Sequence, residues 1–343
     1  MIPFEFVFNP NWWYREYGIS FDQSFYLDPR RRNENDLLMR RALYERFEFG
    51  EPRPALRPIL GSLYVAGGFV PPALFGAAIH FSEHEAPVAV PRDLTREEVL
   101  GLRVPDLEST WPMKQLLEHS QELSREFGYV LGDLNTDGVL NTALCLRGQQ
   151  LFLDLYDDPD LACHLFSVVA ETIAQLAERI RSVTGSSSIS VNRSIVNVDP
   201  RIFVHANCSL QMISPHLYEK YLLPYEKLLA GRLTPYGVHH CGSNFEAFAD
   251  YYRQLNGVFF DVGWGSDIAA ARAALPDAFL NLRLSPMRML SEKPDAIRED
   301  VRRMIKASGA PDRTGVCCIN MDYGTPDGNV RAVVEELRLT ADR

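Results

Sequence analysis

The feature that most constrains the fold is an alternation, through most of the chain, of short apolar or β-branched runs with longer segments of helical periodicity. Such an alternation indicates repeated βα units around a parallel sheet. Seven segments are predicted strands: residues 57–64, 129–134, 187–196, 237–241, 258–262, 279–284 and 316–319. Seven is close to the eight strands of a TIM (β/α)8 barrel, and 343 residues are enough for one such barrel. The predicted fold class is therefore α/β, with a single barrel.

The clearest helix is predicted over residues 158–183. Asp158 can cap its first turn, Pro159 fits the first helical position, and Gly185 follows its end. Apolar residues repeat at helical spacing between these signals. Two further helices are predicted to begin at Ser214-Pro215 and Lys293-Pro294, because each pair is a typical helix start.

The first 54 residues differ from the rest of the chain in their density of aromatic side chains. We predict that residues 1–54 form an N-terminal extension packed on the barrel, and that residues 55–343 form the barrel itself. Packing is favoured over ligand contact because large aromatic residues mostly contribute buried area. A subunit interface, and with it a homodimer, is the alternative. The aromatic residues are Trp12, Trp13, Tyr14, Tyr17, Phe21, Phe25 and Tyr26.

Composition excludes several classes of partner. The 45 acidic and 35 basic side chains give a net charge of −10, which argues against nucleic acid or an anionic membrane surface. No apolar run approaches the roughly 20 residues of a membrane-spanning helix, and the N-terminus lacks a charged signal-peptide head. We therefore expect a cytoplasmic protein. Its six cysteines are too few for a disulfide scaffold and are expected to be thiols.

The strongest chemical signal is the run His239-His240-Cys241-Gly242 at the end of a predicted strand. An imidazole and a thiolate two residues apart can both turn toward one Zn²⁺, at about 2.0 Å and 2.3 Å. Either Cys317 or Cys318, in another predicted strand, could supply a second sulfur. His240 is expected to face away from the metal. Asp261, which ends a third strand, is predicted to orient the ligand imidazole or contact substrate, with loop capping as the alternative.

Several motifs, taken in order, resemble those of the uroporphyrinogen decarboxylase superfamily, and specifically its branch of zinc-dependent corrinoid methyltransferases. Together they span about residues 55 to 340. The motifs are Leu74-Phe75-Gly76-Ala77 with Glu85-Ala86-Pro87; Leu146-Arg147-Gly148 with Asp154-Leu155 and Asp158-Pro159; Met212-Ile213-Ser214-Pro215 with Tyr221 and Pro224-Tyr225; His239-His240-Cys241-Gly242; and Thr325-Pro326-Asp327-Gly328-Asn329-Val330.

The resemblance implies a TIM barrel and a zinc ion held by His239, Cys241 and one cysteine of the later pair. Cys318 is preferred because it needs the smaller insertion before the Thr325 segment, although Cys317 stays open. Neighbouring strand residues point to opposite faces, so only one of the two is expected to reach the barrel interior. Cys208 is predicted to be a buried thiol, with contact to the metal as the alternative.

The implied activity is transfer of a methyl group between a small substrate, such as a phenyl methyl ether or a thiol, and a corrinoid. The chain has no D-x-H-x-x-G signature of a corrinoid-binding module, so a separate corrinoid protein is the expected partner. The alternatives are a decarboxylase-like lyase and a tetrapyrrole-binding barrel without methyl transfer. Decarboxylation is disfavoured because Arg30-Arg31-Arg32 lacks the Gln-Ala-Gly context of the decarboxylases' carboxylate-binding motif.

One competing motif is the H-x-x-E-H pattern of inverted zinc peptidases, which residues 80–84 match. That chemistry requires both histidines on one helical turn. Pro87 follows within three residues, and the flanking sequence resembles a turn. The peptidase function is therefore disfavoured.

Overall fold

A computed structural model describes residues 2–61, 68–132, 134–186 and 199–341. Within these ranges the strands are β1 (Phe4–Phe8), β2 (Ile79–His80), β3 (Val88–Ala89), β4 (Phe203–Asn207), β5 (Tyr236–His240), β6 (Phe259–Val262), β7 (Phe279–Arg283) and β8 (Thr314–Met321). The α-helices are α1 (Pro10–Tyr17), α2 (Gln23–Leu27), α3 (Pro29–Phe47), α4 (Val70–Leu74), α5 (Arg96–Gly101), α6 (Met113–Phe127), α7 (Val139–Arg147), α8 (Gln150–Asp157), α9 (Pro159–Thr184), α10 (Pro215–Tyr221), α11 (Leu223–Arg232), α12 (Ala249–Arg253), α13 (Ile268–Ala274), α14 (Pro286–Ser291), α15 (Pro294–Ser308) and α16 (Asp327–Ala341). Short 3-10 helices lie at Leu210–Met212, Phe245–Ala247 and Pro311–Arg313.

The main sheet has six strands in the order β1-β8-β7-β6-β5-β4 among the described residues. Every neighbouring pair in this sheet is parallel, and helices connect the strands in sequence, as in repeated βα units. Four predicted strands are confirmed, those near residues 237, 258, 279 and 316. Two others meet in a single parallel bridge between Ile59 and Leu131. The predicted strand 187–196 lies outside the described residues.

Two strands of this sheet were not predicted. Strand β1, within the segment predicted as an N-terminal extension, pairs with β8, so residues 4–8 belong to the sheet itself. Residues 4–8 precede the aromatic residues 12–26 and are not among the seven predicted strands. Strand β4 was missed because His205 and Asn207 interrupt its apolar pattern. In the aromatic tract Trp12, Trp13, Phe21 and Phe25 are fully buried, whereas Tyr14 is exposed.

The two faces of the sheet have different contents. Alternate residues point to opposite faces, and the face toward the helices carries residues of the large core, such as Val238, Phe260 and Leu282. The opposite face, called the inner face below, carries a small apolar cluster that includes Val204 and Phe259. Polar residues lie above this cluster, at the carboxyl ends of the strands.

Helix α9 confirms the most detailed helix prediction. The Asp158 carboxylate accepts a hydrogen bond from the Leu161 amide, and Gly185 ends the helix in the left-handed region at φ +69°. By length and composition alone, α9 is apolar enough to cross a membrane, which corrects the expectation from the sequence. However, 67% of its most apolar window is buried in the protein. A mostly buried core helix passes the same test of length and composition, so α9 alone is weak evidence for a membrane span.

Candidate metal centre

Strand pairing brings two cysteines together at the carboxyl end of the sheet. Asn207 of β4 pairs with His240 of β5, so Cys208 and Cys241, each the next residue, lie opposite one another. By strand alternation both side chains share the inner face with His239. The two sulfurs and a ring nitrogen of His239 all lie within 4.8 Å of one another. His239 is buried, Cys208 is half-buried and Cys241 is exposed, so the cluster opens to solvent at one side.

A carboxylate fixes the orientation of the imidazole. Nδ1 of His239 lies 2.6 Å from Oδ2 of Asp261, and Oδ1 of Asp261 accepts a hydrogen bond of 2.7 Å from Nδ2 of Asn281. The three residues are direct neighbours across β5, β6 and β7. When Nδ1 donates to the carboxylate, Nε2 keeps a free lone pair, which is the arrangement that metal-binding histidines use.

A cation already lies where these donors converge. Nη1 of Arg283 is 3.1 Å from Nε2 of His239 and 3.5 Å from Sγ of Cys241. Burial lowers the pKa of Arg283, but the neighbouring thiols and Asp261 outweigh burial and raise it, so the guanidinium is charged. A metal about 2.0 Å from Nε2 needs the space of Nη1. The donor types and their orientation suit a metal, and Nη1 of Arg283 occupies the position next to them in this structure.

The contact between the two thiols shifts their pKa values in opposite directions. The hydrogen bond from Cys208 lowers the pKa of Cys241, and His239 and Arg283 lower it further against the effect of burial. The same contact, together with burial, raises the pKa of Cys208. Burial lowers the pKa of His239, but its hydrogen bonds to Asp261 and Cys241 raise it overall. These contacts favour the thiolate form of Cys241, which is the form that binds metal.

The preference for Cys318 as a ligand is corrected by the face on which its side chain lies. Cys318 belongs to the large core on the helix side of β8, and its Sγ is 3.8 Å from the carbonyl oxygen of Leu284. Burial raises its pKa to about 12. Cys317 lies on the inner face, opposite Arg283 in the β7–β8 register, but outside the cluster of ligand atoms. Cys208, predicted to be a buried thiol with contact to the metal as the alternative, is the second sulfur that lies beside His239 and Cys241.

A buried polar network supports the cluster from the helix side. As predicted, His240 faces away from the site, with Nδ1 2.8 Å from the Tyr252 hydroxyl. Asn207 donates through Nδ2 to Oε1 of Glu226 at 3.0 Å, and the Tyr218 hydroxyl donates to Oε2 at 3.0 Å. Burial raises the pKa of Glu226 to about 7. Because residues 207 and 240 directly precede the two cysteines, this network fixes both strand ends.

The segment before α7 contributes a second carboxylate, Asp137, which no sequence motif identifies. Nδ2 of Asn141 donates a hydrogen bond of 2.6 Å to Oδ1 of Asp137, and Oδ1 of Asn141 accepts one of 3.0 Å from the Ser209 amide. Gly138 allows this segment to lie close to the end of β4, because a Cβ at residue 138 would lie 1.8 Å from the Ala206 carbonyl oxygen. Burial raises the pKa of Asp137 to about 6. Only the tertiary contact with the end of β4 identifies this residue.

The H-x-x-E-H segment does not form the helix that an inverted zinc peptidase needs. His80 lies in β2, which pairs with β3 in a two-stranded antiparallel sheet, and residues 81–87 contain no helix. The two histidines of the motif therefore do not lie on one helical turn.

Comparisons with known proteins agree with the fold. The family model described as Uroporphyrinogen decarboxylase (URO-D) matches residues 64–338. The uroporphyrinogen decarboxylase of Thermodesulfovibrio yellowstonii is 25% identical over 131 residues, which are 38% of this chain and 37% of that protein. A solved structure of a methyltransferase from Methanosarcina mazei superposes with a TM-score of 0.68 at 15% identity, covering 99% of this chain and 94% of that chain. This likeness shows a shared fold.

Proposed function

We propose that this chain, which belongs to the uroporphyrinogen decarboxylase (URO-D) family, is a zinc-dependent methyltransferase that moves a methyl group between a small substrate and a separate corrinoid protein. The observation that carries the proposal is the convergence of Cys208, His239 and Cys241 at a solvent-facing strand end. Three protein ligands with an open position are typical of catalytic rather than structural zinc. The fold shared with a methyltransferase from Methanosarcina mazei supports the same class of activity.

The residues of the site have distinct tasks in this proposal. His239, Cys241 and Cys208 would hold the metal, and Asp261 would keep the imidazole in the required tautomer. Bound zinc lowers the pKa of a coordinated thiol, or acts as a Lewis acid toward an ether oxygen. Asp137, at the end of the neighbouring segment, is a candidate to hold the proton that a thiol loses or an alkoxide gains.

We further propose that the sheet closes into a (β/α)8 barrel. The six parallel strands and the two segments bridged at Ile59 and Leu131 together make eight. In this arrangement Phe4–Phe8 is the first barrel strand. The part of residues 1–54 that would pack on the outside of the barrel is then helices α1 to α3, which follow this strand. The open carboxyl ends of the strands, where TIM-barrel active sites lie, are the surface that a cytoplasmic corrinoid protein would approach.

The proposal is tested with zinc-loaded protein and free cobalamins as substitutes for the partner. Methylcobalamin is mixed with a panel of thiols, and reduced cobalamin with a panel of aryl methyl ethers, while the cobalt absorption is followed. We expect turnover with at least one compound, lowered by on the order of 100-fold or more in Cys241→Ser because a metal ligand is lost. Cys163→Ser, in helix α9, is the matched control. Absence of turnover with both panels, or full activity of metal-free protein, contradicts the proposal.

A decarboxylase-like lyase is the second candidate function. The observation that favours it is Arg283, a buried cation on the inner face that can hold a substrate carboxylate without a metal. The aligned segment of the Thermodesulfovibrio yellowstonii relative points in the same direction. Incubation of chelator-treated protein with uroporphyrinogen distinguishes the two, since a lyase forms decarboxylated porphyrinogens under these conditions.

A further inference from the structure

Two cysteines of the candidate site lie close enough to form a bond with each other. The sulfurs of Cys208 and Cys241 lie within 4.8 Å of one another, and both residues are free thiols. They directly follow Asn207 and His240, which are partners in the parallel pairing of β4 with β5. Adjacent strands lie about 4.8 Å apart, and the Cα atoms of a disulfide are usually about 4.4–6.8 Å apart. The backbone therefore has the spacing that a disulfide needs.

The direction of the side chains also favours this bond. By strand alternation both cysteines point to the inner face, so rotation about their Cα–Cβ bonds can bring the sulfurs to the disulfide distance of about 2.05 Å. Hydrogen bonds hold the preceding residues in place, with Asn207 bonded to Glu226 at 3.0 Å. His240 lies 2.8 Å from the Tyr252 hydroxyl. Because both strand ends are fixed, the two sulfurs stay close together without a metal.

The other four cysteines are placed differently. Cys317 and Cys318 are consecutive residues of β8 and lie on opposite faces, so the extended strand keeps their sulfurs apart. Cys145 lies in α7 and Cys163 in α9. None of these four belongs to the group of ligand atoms found among the described residues.

An oxidant in solution can reach the pair. Cys241 is exposed and Cys208 is half-buried. Nη1 of Arg283 lies 3.5 Å from Sγ of Cys241, and a neighbouring cation stabilises the thiolate, which is the form that attacks an oxidant. Reactive cysteines of this kind are accessible and lie next to a second, resolving cysteine. Cys241 therefore reacts first, and Cys208 is the resolving cysteine.

We infer that Cys208 and Cys241 form a reversible disulfide when the protein meets hydrogen peroxide, and that this bond competes with zinc for the two sulfurs. Sγ of Cys241 attacks one peroxide oxygen, the O–O bond breaks, and a sulfenic acid and water form. Sγ of Cys208 then attacks Sγ of Cys241, the S–O bond breaks, and a second water leaves. The two thiols lose two electrons and two protons, and the peroxide becomes two waters. A dithiol reductant reverses the bond by exchange.

The disulfide removes two of the three proposed zinc ligands. A sulfur in a disulfide lacks the thiolate charge that binds a metal, so only His239 remains as a ligand. The inference rests on the proposed function only for this effect on zinc, because the bond itself requires neither a metal nor methyl transfer. Zinc in turn should protect the pair, since it occupies both sulfurs.

The test is the reaction of the chelator-treated whole chain with a slight excess of hydrogen peroxide. We expect the six thiols to fall to four, because one bond consumes two of them. Dithiothreitol should restore all six. After alkylation and tryptic digestion, mass spectrometry should find residues 202–220 joined to residues 233–253, since each of these peptides contains a single cysteine.

Zinc-loaded protein measures the competition. We expect it to form the bond about tenfold or more slowly, because coordinated sulfurs are less accessible to the peroxide. The oxidised protein should bind no zinc. Cys163→Ser, with one cysteine fewer, is the matched control, and its thiols should fall from five to three with the same joined peptides. In Cys208→Ser the peptide of Cys241 should stay unjoined and carry oxygen on its sulfur.

Two results overturn the inference: no joined peptide after oxidation, or a bond from Cys208 or Cys241 to another cysteine or to a second copy of the chain. A non-reducing gel detects joined copies. If Cys208→Ser does not fold, the joined peptides of the unmodified protein decide. Equal oxidation rates with and without zinc contradict the competition. A joined peptide from protein whose reduced form binds no zinc contradicts the proposed function alone, whereas zinc binding without a joined peptide contradicts this inference alone.

Discussion

Oδ2 of Asp261 lies 2.6 Å from Nδ1 of His239, and both side chains are fully buried. This contact connects two neighbouring parallel strands at the level where the site begins. It decides which imidazole nitrogen is free, and therefore which side of the ring can face a metal. The arrangement makes Asp261 a positioning residue.

Replacing Asp261 with Asn is expected to weaken zinc binding by about 10- to 100-fold, the usual effect of losing such a carboxylate partner. The amide oxygen can still accept a hydrogen bond from Nδ1, but without the negative charge it no longer raises the basicity of Nε2, the nitrogen that would bind the metal. Competition with a chelator of known affinity measures the change. Asp250→Asn, on the exposed side of α12, controls for the loss of one charge. An unchanged zinc affinity in Asp261→Asn contradicts this role.

Gly263 keeps the ends of β5 and β6 close together. A Cβ at this position would lie 2.0 Å from the Gly242 carbonyl oxygen and 2.8 Å from that of Cys241. Gly263→Ala is therefore expected to displace Cys241 and to lower the free energy of unfolding by about 1–3 kcal/mol, as overpacking does. Its zinc content should fall in parallel.

The contrasting glycine is Gly231, in helix α11, where an added Cβ would meet no atom within 4 Å. Gly231→Ala is expected to raise the free energy of unfolding by about 0.5–1 kcal/mol, because alanine loses less conformational entropy in a helix. Urea denaturation of both variants measures the difference. If both substitutions have the same effect, the close approach at Gly263 does not constrain the site.

The features that could be predicted from the sequence depend on local signals. Asp158, Pro159 and Gly185 delimit α9, and they act within one turn of the helix. The pairing of His239 with Cys241 on one face needs only the alternation of a single strand. Motifs distributed along the chain were likewise sufficient to predict the family.

The choice among the cysteines could not be made from the sequence because it depends on strand register. A shift of one residue reverses the face of every side chain, and this decides between Cys317 and Cys318. Cys208 becomes a neighbour of Cys241 only through the pairing of Asn207 with His240. Spacing along the chain carries no information about that contact.

Glu226 is expected to make stability depend on pH. Burial raises its pKa from 4.5 to about 7 in the folded protein, so the native state retains a proton that the unfolded state has lost between these values. Stability therefore falls as the pH rises from about 4.5 through 7. Its neighbour His205 stays neutral in this range, because burial lowers its pKa to about 3.

Glu226→Gln is expected to remove this loss. Between pH 5 and pH 8.5 the unmodified protein should lose on the order of 2–3 kcal/mol more of its free energy of unfolding than the variant loses, as the size of the pKa shift implies. Urea denaturation at both pH values gives the change. Glu219→Gln, an exposed residue of α10, serves as the control. A parallel response of Glu226→Gln and the unmodified protein excludes a proton on Glu226 near neutral pH.

The central claim is that Cys208, rather than a cysteine of β8, joins His239 and Cys241 around one divalent metal. The most direct measurement is the sulfur-to-cobalt charge-transfer absorption of the protein loaded with one equivalent of Co²⁺. Its intensity should fall to about half in Cys208→Ser, since one of two thiolate ligands is lost, and should be unchanged in Cys318→Ser. Half intensity in Cys318→Ser with an unchanged spectrum in Cys208→Ser, or no cobalt binding at all, contradicts the account.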